Sequence, residues 1–153
     1  MAMSALENLP RITPFLWFDS NAEAAVDLYL SVFKNSRRVG EMRMPDGKVL
    51  TLAFELEGQR FTALNGGPMF KFNESVSFVV RCDSQQEIDY YWSRLTADGG
   101  AESQCGWLKD KFGLSWQIVP GRIGELVSHP KAMQAMMGMK KLNIAELEQA
   151  AQS

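Results

Sequence analysis

Asp19-Ser20-Asn21-Ala22-Glu23 and Asp83-Ser84-Gln85-Gln86-Glu87 are one pattern written twice, 64 residues apart. In each, a serine stands where its hydroxyl accepts from the amide three residues on. A glutamate stands where its carboxylate reaches back, which is the arrangement of a capping box. An apolar stripe at helical spacing follows each box. Ala25, Leu28, Tyr29, Val32 and Phe33 form the first stripe and Ile88, Tyr91, Trp92 and Leu95 the second, at an offset of 63. The spacing predicts a helix from about Asn21 to Phe33. It predicts a second from Ser84 to a stop at Asp98-Gly99-Gly100, where glycine takes the left-handed conformation of a C-cap.

The surroundings of the two boxes also correspond. Strand-like runs precede them at Thr13 to Phe18 and Val76 to Arg81. After the first helix come Arg38 to Arg43, Val49 to Glu57 and Arg60 to Leu64, broken at Pro45-Asp46-Gly47 and Gly58. After the second come Ala101 to Gln104, Gly106 to Lys109 and Leu114 to Val119, broken near Cys105 and at Asp110 to Gly113. The order strand, helix, strand, strand, strand is performed twice, and neither copy covers both faces of its own sheet, so the copies are expected to pack together. Met133, Met136, Met137 and Met139 fall on a C-terminal helix and are expected to pack on the sheet or on a second subunit.

At 153 residues, with 46% hydrophobic and 22% charged residues, the composition is that of a globular domain with a sizeable core. A formal charge of −2 gives no basic footprint for nucleic acid. No apolar run is long enough for a membrane span. The N-terminus lacks the basic start and apolar centre of a signal peptide, so a cytoplasmic protein is expected. Cys82 and Cys105 are too few for a disulfide framework and lack metal-ligand spacing. His129 is the only histidine. No Ser-His-Asp, Cys-His or phosphate-loop arrangement occurs.

Alternation along Leu114-Ser115-Trp116-Gln117-Ile118-Val119 puts Ser115 and Gln117 on one face of a strand and Leu114, Trp116 and Ile118 on the other. Carried to the other strands, the same parity puts Thr51, Ala53, Glu55, Phe61, Ala63, Asn65, Ser75, Ser77, Ser115 and Gln117 on a face free of helices. Leu52, Phe54, Phe78, Val80, Trp116 and Ile118 then lie beneath the helices. Glu55 is the one carboxylate on the free face and so the candidate general base; a solvated glutamate at a strand end is the alternative. Trp107 offers a flat surface for a planar ligand, or core packing. Gln117 either meets a ligand or satisfies neighbouring backbone groups.

The stretches Ala63 to Asn73, Cys105 to Pro120 and Met136 to Ala145, set in this element order, resemble the PhnB-like family of the vicinal oxygen chelate superfamily. That superfamily includes glyoxalase I, extradiol dioxygenases and bleomycin-resistance proteins. PhnB-like proteins are often labelled 3-demethylubiquinone-9 3-methyltransferase domain proteins. The resemblance implies an α+β fold of two βαβββ modules whose curved mixed sheets form a cup, with a C-terminal helical extension and usually a homodimer. The corresponding boundaries are a flexible segment 1–11, one domain 12–120 with modules 12–67 and 74–120, and an extension 121–153. It also implies four metal-ligand positions, which here carry Ile12 or Pro14, Ala63 or Asn65, Ser75 or Ser77, and Gln117. None is His or Glu, and a neutral amide is a poor substitute for a carboxylate, so neither metal nor other cofactor is expected.

The expected function is therefore small-molecule binding without metal, with Asn65, Ser75, Ser77, Trp107, Ser115 and Gln117 as ligand contacts and no membrane or nucleic-acid partner. The alternatives are a metal-independent enzyme on an apolar or aromatic compound, with Glu55 as base, and a dimerisation module with a vestigial cup. Methyl transfer is disfavoured, because no Gly-x-Gly sequence follows a strand.

Overall fold

The computed structural model describes residues 9–153, so most of the expected N-terminal segment 1–11 lies outside the described residues. The chain forms two compact units that divide between Lys71 and Phe72. In the first, β1 (Phe15–Phe18) leads into α1 (Ala22–Val32), then β2 (Ser36–Arg43), β3 (Val49–Leu56) and β4 (Gln59–Asn65). The sheet order is β1-β4-β3-β2, with β1 parallel to β4 and the other pairs antiparallel. Helix α1 buries Ala22, Ala25, Val26, Tyr29 and Val32, three of them (Ala25, Tyr29 and Val32) from the apolar stripe. Tyr29 stacks on Phe54 at 6.3 Å between ring centroids, and Phe54 on Phe61 at 5.3 Å.

That stack corrects the expected parity of β4. Glu57 and Gly58 both take left-handed dihedrals, φ 50° and 85°, and close a two-residue hairpin in which Leu56 faces Gln59. Phe61 then lies opposite Phe54, and Ala63 opposite both Leu52 and Leu16. Phe61, Ala63 and Asn65 therefore share the face of the core and α1, not the helix-free face. Thr51, Ala53 and Glu55 keep the face expected of them, and Arg60, Thr62 and Leu64 join them there.

In the second unit, β5 (Ser77–Cys82) leads into α2 (Gln85–Thr96), a short 3₁₀ turn, β6 (Ala101–Glu102), β7 (Trp107–Lys109) and β8 (Ser115–Pro120). The sheet order β5-β8-β7-β6 repeats that of the first unit, again with one parallel pair. Ile88, Trp92 and Leu95 of α2 are buried, as are Leu108, Trp116 and Ile118 of the sheet. At the end of α2 the left-handed residues are Asp98 and Gly99 (φ 57° and 114°). Gly100 serves by its size, because a Cβ there would meet backbone atoms of Thr96 and Lys109 at 2.7–2.8 Å.

The chain continues as the short helix α3 (Ile123–Leu126), then α4 (Pro130–Met137) and α5 (Ile144–Ala151). Leu126, Leu142 and Leu147 form a buried cluster with Met136 and Met139 packed against it. Met133 and Met137 remain exposed, and Met139 lies just beyond α4. The extension is fastened to the second unit. Cys105 N and Gly106 N donate to the carbonyls of Met139 and Lys140, at 2.8 Å each. The Gln85 amide donates to Leu142 O at 3.0 Å and accepts from Ile144 N at 2.8 Å.

Candidate functional site

The helix-free face of the second sheet gathers most of the expected contacts. Ser77 is paired in register with Ser115, and Gln117 with both Val79 and Trp107, so all five share one face. Gln117 Nε2 donates to Ser77 Oγ at 2.9 Å. Val79 is exposed beside them. A cavity of about 200 Å³ lies against Trp107, Lys109 and Ser115. Ser115 lies behind that wall, fully buried, and its hydroxyl has no hydrogen-bond partner among the described residues. Lys109 is held by Glu74 at 3.0 Å, and its hydrogen bond holds the Glu74 carboxyl below the usual carboxylate range. Ser75 lies outside β5, in a turn where its amide and hydroxyl both donate to Asn73 Oδ1 at 2.9 and 2.6 Å.

What fixes the phase of β8 is Asp110, which sequence reading treated only as a turn former. Its buried carboxylate accepts from the amides of Phe112 (2.8 Å) and Leu114 (3.1 Å) and from the Trp116 indole (2.9 Å). Three donors converging on one buried carboxylate lock the hairpin and turn Trp116 inward. Ser115 and Gln117 must then face the other way. The signal in the sequence was the spacing Asp110-x-x-x-Leu114-x-Trp116, an acid set before its own indole donor.

In the first unit, Asn65 is spent on structure. Its Oδ1 accepts from Ala22 N at 2.8 Å, and its Nδ2 donates to Glu23 Oε1 (2.8 Å) and Val49 O (3.0 Å). This replaces the box expected at Ser20: α1 starts with Asn21 at its N-cap and no cap bond from that side chain. Asn65 ends β4 directly over the helix start and reaches the free amide first. The second box forms, with Ser84 Oγ accepting from Glu87 N at 3.2 Å and Glu87 reaching Asp83 N at 2.6 Å. Glu55 lies between Arg37 (3.5 Å) and Arg60 (3.6 Å), which occupies its carboxylate as a shared ion-pair partner.

Among the described residues no three His, Cys, Asp or Glu side chains come together to hold a metal ion. The residues at the implied ligand positions do not fit one either. Ala63 is buried under α1, the Asn65 amide is fully engaged, and Ser77 and Gln117 supply only neutral oxygens.

A larger groove, about 690 Å³, escaped sequence reading because it exists only once the extension has packed. Cys82, Pro120, Leu126 and Ile144 lie along it beside Asp83, Arg122, Glu148 and Gln149. Burial, aided by the charges of Glu87 and Asp83, pushes the Cys82 thiol up to about 12, so it stays protonated near neutral pH.

The model of the family described as 3-demethylubiquinone-9 3-methyltransferase matches residues 10–119. The PhnB protein from Bacillus cereus is 32% identical, with a TM-score of 0.68 over 73% of this chain and all of that one. Fosfomycin resistance protein FosX from Mesorhizobium loti is similar in fold, with a TM-score of 0.59 at 13% identity over 78% of this chain and 97% of that one. A glyoxalase/bleomycin resistance protein from Albidiferax ferrireducens is similar in fold too, with a TM-score of 0.51 at 10% identity over 71% of this chain and 95% of that one. No curated protein matches the chain.

Proposed function

The chain belongs to the family described as 3-demethylubiquinone-9 3-methyltransferase, and from that premise we propose that it is a small-molecule-binding protein. Its ligand is placed on the helix-free face of the second sheet. The observation that carries this reading is the Ser77–Gln117 hydrogen bond beside Trp107. With its amide nitrogen given to Ser77, Gln117 keeps its carbonyl oxygen as an acceptor, and the Ser77 hydroxyl keeps its hydrogen as a donor. Trp107 adds a flat apolar surface beside the cavity. Lys109 is already neutralised by Glu74. An uncharged or weakly polar ligand with a donor and an acceptor side by side suits this set, and Ser75 stands nearby in sequence as a rim contact.

Methyl transfer is not part of the reading. The strand-to-helix turns are Asp19 to Asn21 and Asp83 to Ser84, neither of which holds a glycine, and each sheet has a single parallel pair. Nor is Glu55 favoured as a base, because Arg37 and Arg60 share its carboxylate. Self-association as a homodimer is part of the proposal, supported by the family and by the exposed Met133 and Met137 of α4.

The test is calorimetric affinity for whatever compound copurifies, compared between wild type and Gln117→Leu. The substitution keeps roughly the volume and removes the polar functions. A loss of about 0.5–1.5 kcal/mol is expected for one such bond. Equal affinities would take Gln117 out of the site.

A further inference from the structure

We propose that the groove between the C-terminal extension and the strand ends of the second unit is a second binding site, for a small organic amine that carries its positive charge on an apolar body. This site is independent of the sheet face described above. Most of its wall lies beyond the matched residues: the family match ends at residue 119, and Pro120, Arg122, Leu126, Ile144 and Glu148 all follow it. The extension is held by the Gln85 amide, by the Lys141–Asp89 ion pair at 2.8 Å and by the buried Leu126–Leu142–Leu147 cluster. A segment so firmly packed could have closed over the strand ends. It leaves about 690 Å³ instead, within the range of small-molecule pockets and far more than a few waters need.

The charge of the lining selects the ligand. Asp83 is paired with Arg81 at 2.5 Å. Arg122 contacts Glu125 at 3.4 and 3.5 Å. Glu148 has no ion-pair partner among the described residues, although its charge adds to the effect of Glu125 in raising the Arg122 pKa. The lining thus carries two carboxylates, Asp83 and Glu148, against one guanidinium, Arg122, an excess of one negative charge. An arriving anion would meet Glu148 unpaired and an Arg122 already engaged, whereas an ammonium group completes the set. Below that rim, Ile144 offers apolar surface for a hydrocarbon body over the buried Pro120 and Leu126, and the protonated Cys82 thiol adds no charge.

The experiment records amide resonances of the full chain during titration with n-hexylamine, hexanoate or hexanol. Hexylamine is expected to move the signals of Gln85, Leu126 and Gln149 with a dissociation constant on the order of 1 mM, as suits a ligand of its size. Hexanoate should leave them in place, and hexanol should bind several-fold more weakly than the amine. Glu148→Gln, a change on a half-exposed helix face, should weaken hexylamine about five- to tenfold. Ala145→Trp, at an exposed position on the groove wall, should abolish the shifts. No response to hexylamine, an equal response to hexanoate, or full affinity in either variant would overturn the proposal.

Discussion

The starts of α1 and α2 are nearly the same in sequence and are built by different means. At α2 the box closes on itself, with the Ser84 hydroxyl on Glu87 N and the Glu87 carboxylate on Asp83 N. At α1 the amide that needs a partner takes it from Asn65, 43 residues away, and Glu23 turns to the same asparagine. The final hairpins of the units differ in the same spirit. Between β3 and β4 the chain turns through left-handed Glu57 and Gly58, with the Glu57 amide and carboxylate tied outward to the Asn35 backbone. Between β7 and β8 the turn is organised by the buried Asp110 carboxylate. Matching sequence therefore predicts matching elements, but the bonds that hold them depend on what the sheet delivers nearby.

The contrast can be broken most severely at Asp110. Asp110→Ala should cost about 3–5 kcal/mol in urea unfolding, since it removes three hydrogen bonds and strands the Trp116 indole and Leu114 amide. A cost below 1 kcal/mol would mean that the hairpin holds its shape without a carboxylate inside the turn. Next in size is Asn65→Ala, expected at about 2–4 kcal/mol from the loss of three partly buried bonds. Hydrogen exchange should report it first as faster exchange in the opening turn of α1. The serines sharpen the comparison further. Ser84→Ala is expected to cost about 1 kcal/mol as a lost N-cap, and Ser20→Ala less than about 0.5 kcal/mol. Equal costs at the two serines would restore the symmetric reading.

Much of the fold was legible because each element had a local cause. The apolar stripes, the turn residues and the repeated order sufficed for both units to within a residue or two at most boundaries. The faces were harder. Alternation cannot orient a run such as Phe61-Thr62-Ala63-Leu64, in which every residue tolerates burial. What would have oriented it was the two-residue Glu57-Gly58 loop, which fixes register from turn geometry. In the second unit alternation succeeded, because Trp116 and Ile118 are large and apolar while Ser115 and Gln117 are polar. Asn65 looked like a ligand contact since an amide beside Gly66-Gly67 carries no mark of its partner, a helix start more than 40 residues away. Gly66 itself is demanded by packing, as a Cβ there would lie 2.5 Å from the Trp17 ring. The groove left no trace in any local pattern, because helices from the extension and strand ends from the sheet build it jointly.

In the proposed function, Ser77, Trp107 and Gln117 form the floor of a small-molecule site. Native mass spectrometry of gently purified full-length protein tests it most directly, run side by side on wild type and Gln117→Leu. The expected result is a discrete added mass on the wild type that is much reduced in the variant. Bare protein in both samples, or the same adduct retained equally by both, would contradict the claim.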